Sequence, residues 1–247
     1  MFRISSYSIL FVFLLACSAP NLPLSISYKD YPINSTLKPD TSLINLIQPY
    51  GVELNKTMGK VIGFANTSMY KKQPESILGN FMADCIQKMG AQKFNQSVDI
   101  GFMNQGGIRA GLNKGNITVG NVYELMPFDN LIVIQELSGT VLEKFIQLIA
   151  ADGGWPISAG SSFTIKDKKA IDIIINGKPI DLKAKYITSN SDYIANGGSN
   201  SVMLKGIPYI NKGYLLRDAL IDYINDLTKE GKPVDGKLEK RVSLNNE

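Results

Sequence analysis

Apolar residues recur at helical spacing in several stretches of this chain. In Pro74–Met89, the positions Ile77, Leu78, Phe81, Met82, Cys85 and Met89 make one face of a helix. Pro74 and Glu75 suit its first turn, where no donor is lost and the dipole favours a carboxylate. Gly79 and Ala83 leave room for another element to approach. Val141–Ala150 turns Leu142, Phe145, Ile146 and Ile149 inward behind Ser138 as cap. Tyr214–Leu227 places Leu215, Leu216, Ala219, Leu220, Tyr223, Ile224 and Leu227 on one side, with Asp222 and Asp226 on the wet side. A shorter helix is expected over Ser42–Gln48, capped by Thr41 or Ser42.

Between these lie β-leaning runs. Strands are predicted at Lys60–Ala65, Val98–Met103, Leu131–Leu137 and Tyr186–Ser189. Ser162–Lys166 and Ala170–Ile175 flank the charged turn Asp167-Lys168-Lys169 and read as a hairpin; Asn176-Gly177 starts another turn. Lys237–Leu244 is expected to close the sheet. The alternation of strands and helices, without repeat or internal linker, predicts one α/β domain of α+β type, a mixed sheet packed with helices, over residues 41–247.

The N-terminus has a different character. Arg3 precedes Ile9–Leu15, an apolar stretch too short for a mature membrane span. Leu14-Leu15-Ala16-Cys17 resembles the bacterial lipobox. Residues 1–16 are therefore expected to be a signal peptide and Cys17 the acylated N-terminus, with residues 17–40, rich in Ser, Pro and Asn, as a flexible tether. The expected location is the cell envelope, held by lipid alone. Ser18 favours the outer membrane or periplasmic face. With Cys17 lipidated, Cys85 is the remaining thiol and no intramolecular disulfide forms.

The chain is 44% hydrophobic and 19% charged, ordinary for a protein with a core, and its net charge of +4 suits an anionic ligand. No basic block resembles a nucleic-acid footprint, so no nucleic-acid partner is expected. It has no histidine and two cysteines, so no zinc site is expected; no Asp/Glu spacing suggests a site for a harder cation. Ser138 and Ser191 lack a base of the Ser-His type.

Chemistry concentrates in two loops. In Asn104-Gln105-Gly106-Gly107-Ile108-Arg109, the glycines let backbone N–H groups approach a ligand, Arg109 offers a fork for phosphate or carboxylate, and Asn104 offers a donor and an acceptor to a base edge. The same residues also describe a tight turn with a surface arginine. Phe128 follows Pro127, and Tyr193 precedes Ile194-Ala195-Asn196-Gly197-Gly198. Each ring is either a core plug or a platform for a base.

The ordered set Glu75–Asn80, Asn104–Arg109, Gly115–Thr118, Met126–Asn130, Leu137–Gly139 and Asp192–Gly198 resembles the C-terminal substrate-binding domain of the 5′-nucleotidase and UDP-sugar hydrolase family, from about Lys60 onward. The resemblance implies base stacking by Phe128 and Tyr193, base contacts from Asn104 or Asn130, and phosphate binding by Arg109. A second cation of the family falls on Lys72, where lysine keeps the charge without the bidentate fork.

Departures from the family pattern are also present. Gln105 stands where a glycine is usual and is expected to narrow the site. Ser199 stands where an aspartate that accepts from ribose hydroxyls is usual. The metallophosphatase domain that precedes this domain in full-length relatives does not match any part of the chain. The expectation is a nucleotide-recognition subunit with no catalytic residue and no cofactor of its own, inactive alone, and partnered by a separate chain that brings divalent metals. The alternative is a surface lipoprotein that binds nucleotides or nucleosides without hydrolysing them.

Overall fold

The structure, a computed structural model, describes residues 27–34 and 36–245; the expected signal peptide over residues 1–16 and Cys17 lie outside the described residues. The chain divides into two compact units, Met1–Ile47 and Gln48–Glu247. In the first, residues 27–34 carry no regular structure. Helix α1 (Thr41–Met58) begins there, capped by Asp40 rather than by Thr41 or Ser42. The Asp40 carboxylate accepts the amides of Ser42 and Leu43 at 3.0 and 3.1 Å, a stronger bond than a hydroxyl makes. α1 also passes the predicted end at Gln48 and contains Pro49 without stopping. None of its residues is buried, so the carbonyl that the proline leaves unpaired meets water.

The second unit holds three sheets rather than one. β1 (Val61–Ala65) pairs antiparallel with β3 (Gly115–Thr118). β5 (Ser162–Lys166), β6 (Lys169–Ile175), β7 (Lys178–Pro179) and β10 (Val242–Leu244) form a second sheet in the order β10-β5-β6-β7. Its expected hairpin turns at Asp167 and Lys168, both at positive φ (48° and 61°), which matches strand twist; Lys169 already belongs to β6. The predicted closing strand shortens to β10, parallel to β5.

The third sheet, in the order β2-β8-β4-β9, carries the candidate site. It contains β2 (Ile100–Gly101), β8 (Lys185–Ser191), β4 (Leu131–Ser138) and β9 (Tyr209–Leu215). β2 runs parallel to β8, while β4 is antiparallel to β8 and β9. The chain therefore leaves β2, β8 and β9 and enters β4 at the same end of the sheet.

The helices pack around this frame. α2 (Ile77–Phe94) is capped by Ser76, whose hydroxyl accepts from Gly79 at 3.0 Å. The helix starts later than predicted because Glu75 is engaged elsewhere. Its carboxylate accepts the amides of Glu239, Lys240 and Arg241 at 3.0–3.2 Å, and the Asn80 amide at 2.8 Å. α2 also ends later, because Gly90 is a packing device and not a stop. A Cβ there would lie 2.6 Å from Ser189 Oγ on β8. Gly79 similarly accommodates Pro156, 2.4 Å from where its Cβ would stand.

α3 (Val119–Leu125) follows β3 and is capped reciprocally by Thr118 and Asn121. α4 (Gly139–Ala151) uses Ser138 as cap, as expected. α5 (Asp192–Ala195) is a single turn capped by Ser191. α6 (Leu216–Lys229) begins after Tyr214 and Leu215, which complete β9 instead of the helix. Asp222 on α6 is not purely a wet residue: it accepts the Tyr214 hydroxyl at 2.7 Å.

Two apolar clusters result. One gathers residues of α2, α3 and α6 with Ile132 and Ile134 of β4; the other gathers α4, Trp155 and the β5–β6 hairpin with Leu137 of β4. Even and odd positions of β4 thus serve opposite sides, as the pleat requires. Phe145 links Phe102 and Trp155 through edge-on contacts at 4.9 and 5.8 Å.

The C-terminal segment is locked by Arg241, which is 5% exposed. Its guanidinium donates to both oxygens of Asp84 at 2.6 and 2.9 Å, to Glu239, and to the Ile157 carbonyl at 3.1 Å. Burial alone would lower the Arg241 pKa, but hydrogen bonding and charge from Asp84 outweigh it and the group stays firmly ionised.

Candidate functional site

At the shared end of the third sheet lies a cavity of about 310 Å³, lined by Asn104, Gly106, Gly107, Arg109, Phe128, Asn130, Tyr193 and Ser199. Its wall is assembled from loops that the topology brings together. β2 leads to Asn104 and the tight 3₁₀ turn Gln105–Gly107; the segment between α3 and β4 holds Phe128 and Asn130. β8 leads to α5 with Tyr193 and on to the 3₁₀ turn Gly198–Asn200.

Asn104 is the most informative of these residues. It is 6% exposed, yet its side-chain amide has no hydrogen-bond partner among the described residues. An amide in a cavity wall is free to offer a ligand both a donor and an acceptor. Gly107 makes room for it: a Cβ there would lie 2.9 Å from Asn104 Oδ1 and 2.5 Å from Met103 Cε. Gly106 is less constrained, with nothing closer than Asn104 Nδ2 at 3.6 Å.

Neither ring is a core plug. Phe128 is 38% and Tyr193 45% exposed. Arg217, 8% exposed at the start of α6, secures the Phe128 loop. It donates to the Phe128 carbonyl at 3.3 Å and to Asp129 at 2.8 Å, and its guanidinium lies 4.3 Å from the Tyr123 ring centre. Asp192 ties the two arms together. One carboxylate oxygen accepts the amides of Leu131 and Tyr193, each at 2.9 Å. The Tyr193 ring is backed by Gly198, where a Cβ would come within 2.5 Å of ring atoms, and its hydroxyl accepts the Ser199 amide at 3.1 Å.

The cationic side of the site is Arg109, 5.8 Å from the Phe128 ring centre and hydrogen-bonded to the Gly106 carbonyl at 3.4 Å. It forms no ion pair among the described residues. Lys72 stands outside this arrangement, exposed and absent from the cavity wall. Lys71, which the sequence reading passed over, reaches the loop instead, donating to the carbonyls of Ile108 at 2.8 Å and Gln105 at 3.5 Å. Gln105 does not narrow the cavity as expected: it is not in the wall, and its amide oxygen is buried elsewhere without a partner. Arg217 and Asp192 were missed as site-builders because each acts from behind the loop that it fixes.

Ser138 and Ser191 are helix caps. No group of three or more His, Cys, Asp or Glu residues is placed to hold a metal ion among the described residues. No described helix is long and apolar enough to cross a membrane. The cavity wall offers two exposed rings, two side-chain amides and one guanidinium to an occupant.

Comparison with known proteins places this geometry. The family model of the 5′-nucleotidase C-terminal domain matches residues 57–206. A 5′-nucleotidase of Vibrio vulnificus is 26% identical over 216 residues, covering 82% of this chain and 37% of that protein. Protein UshA of Escherichia coli is 30% identical over 152 residues, covering 60% of this chain and 27% of that protein. The crystal structure of a 5′-nucleotidase precursor from Thermus thermophilus superposes with a TM-score of 0.67 at 26% identity, covering 84% of this chain and 44% of that one. The chain thus spans well under half the length of these relatives. The fold and the matched motifs lead to one assignment: this chain belongs to the 5′-nucleotidase C-terminal domain family.

Proposed function

We propose that this chain is the nucleotide-recognition part of a 5′-nucleotidase-type phosphohydrolase. It would hold a nucleoside 5′-monophosphate with the base between Phe128 and Tyr193, the base edge against Asn104 and Asn130, and the phosphate at Arg109. The observation that carries this reading is one cavity wall that brings together the Asn104 and Asn130 amides, two exposed rings and an arginine that forms no ion pair among the described residues. Family membership supports a nucleotide-related role.

The residues of this chain do not fit a two-metal hydrolytic centre. The sequence has no histidine. Hydrolysis is therefore assigned to a separate metallophosphatase chain, with this chain supplying position, a large share of catalysis in its own right. Lys72, exposed and outside the cavity wall, is proposed only as a secondary electrostatic contact to the phosphate. Lipidation of Cys17 would hold the domain at the cell envelope, residues 17–40 acting as tether.

The test is calorimetric titration of the purified chain with AMP and adenosine, followed by phosphate-release assays with and without an added metallophosphatase chain. Micromolar to millimolar binding is expected, about −4 to −8 kcal/mol. Phe128→Ala and Tyr193→Ala should each weaken it by about 1–3 kcal/mol. Release should need the second chain, whereas binding that never leads to release with any such chain favours the capture lipoprotein. Unchanged affinity in both ring variants, with native circular dichroism, rejects the site. Palmitate-analogue labelling of the wild type but not of Cys17→Ser checks the anchor.

A further inference from the structure

Asp192 is absent from the cavity wall, although Tyr193 beside it lines the cavity. Its side chain nevertheless joins two arms of that wall. One oxygen, Oδ1, accepts the amides of Leu131 and Tyr193, each at 2.9 Å. Among the described residues, no other side-chain hydrogen bond joins residues 126–131 to residues 192–200.

The topology explains why a side chain is needed at this point. In the antiparallel ladder of β4 and β8, Ile132 pairs with Ser191, and that pair is the last. Residue 192 begins α5, so the backbone there no longer follows the sheet. The Leu131 amide, one step beyond the ladder, donates to the Asp192 carboxylate. An ionised acceptor makes such bonds about twice as strong as a neutral one does.

Both ends of this bridge are anchored elsewhere. Asn130, which lines the cavity, immediately precedes Leu131, and its carbonyl accepts the Leu216 amide at 2.9 Å. Its backbone is therefore held to α6 on one side and to Asp192 on the other. Tyr193 is held at three points: its amide by Asp192, its ring by the close approach of Gly198, and its hydroxyl by the Ser199 amide at 3.1 Å. Past the end of the ladder, the Asp192 oxygen couples one arm to the other.

We infer that Asp192 is a positioning residue of this site: it fixes the spacing of Asn130 and Tyr193, so that the wall stands formed before an occupant arrives. The inference rests on the nucleotide-binding reading above and concerns how that site is built. A preformed wall spares the ordering cost of binding. Because Asp192 does not line the cavity, its loss removes no contact with the occupant. Its charge and its geometry are separable, since asparagine keeps a side-chain oxygen and loses the charge.

The experiment is titration calorimetry of the full chain with AMP, for the wild type, Asp192→Ala and Asp192→Asn, with native circular dichroism required of each. Asp192→Ala should lose about tenfold in affinity, and Asp192→Asn should stay within about threefold of the wild type. At saturating AMP, the hypochromism of the adenine band, a mark of stacking, should shrink in Asp192→Ala and persist in Asp192→Asn. A general loss of stability leaves the bound state of the folded molecules unaltered and does not produce this change. If Asp192→Ala does not fold, Asp192→Ser, whose side chain ends one bond short of Oδ1, takes its place with the same expectation. Wild-type affinity and hypochromism in Asp192→Ala overturn the inference and leave the nucleotide-binding reading standing. Equal losses in the alanine and asparagine variants, or equal gains, also overturn it, because charge and not geometry then governs. Failure of AMP to bind the folded wild type overturns both.

Discussion

The guanidinium of Arg217 donates to the carbonyl oxygen of Phe128 at 3.3 Å, so the first turn of α6 sets the position of a ring in the cavity wall. The same side chain pairs with Asp129, but that carboxylate is 83% exposed and its ion pair is screened by water. The carbonyl bond and the contact with Tyr123 matter more. Arg217→Ala should lose about 1–3 kcal/mol in urea unfolding, and Asp129→Ala less than about 1 kcal/mol. Nucleotide affinity should follow the same order. Equal losses in the two variants would mean that the ion pair, not the loop carbonyl, is the point of attachment.

Neighbouring glycines should differ sharply. Gly107→Ala places a methyl 2.9 Å from the Asn104 amide and should weaken nucleotide binding by about tenfold, the value of one bond to a buried amide. Gly106→Ala has 3.6 Å of clearance and should bind as the wild type does. Calorimetry on both proteins, with circular dichroism as the control for folding, decides it.

Arg241 should be among the most sensitive positions for stability. Removing it strands the partly buried Asp84 carboxylate, and Arg241→Ala should cost about 3–5 kcal/mol in denaturant unfolding. Glu239→Ala, at a partner that is 48% exposed, should cost less than about 1 kcal/mol. Similar small losses in both would show that the guanidinium is held mainly by the backbone.

Cys85 should be inert in the native protein. Burial pushes its thiol well above the ordinary range, and the charges of Asp84 and Asp222 push it further in the same direction. The thiolate is the reactive form, so a Cys17→Ser protein should not react with a thiol reagent at neutral pH until urea unfolds it. Rapid reaction under native conditions would show that α2 opens locally.

The long periodic helices were legible in the sequence because their apolar faces are wide. The Ile77-to-Met89 pattern marked α2 correctly, while its ends shifted for reasons that local patterns do not contain. Glu75 is drawn to amides more than 160 positions away, and Gly90 is demanded by Ser189 across the helix–sheet contact. β3 and α3 escaped notice as elements because four and seven residues give too few periods to register. The exposed β9 resembled a helix start, since Tyr214 and Leu215 continue the apolar spacing of α6 backward. In the candidate site, the residues that face the cavity carried motifs. Lys71 and Arg217, which help hold those residues in place, carried none that separated them from ordinary surface charge, and Asp192 opened a motif without its bracing role being visible in it.

The attachment of Glu75 to residues 239–241 also bears on how this chain is made. A ribosome delivers Glu75 and Asp84 long before it delivers Arg241. During that interval both carboxylates stay hydrated, and the parts of the α2 surface that they border have no stable cover. This contact therefore closes only when the last strand arrives.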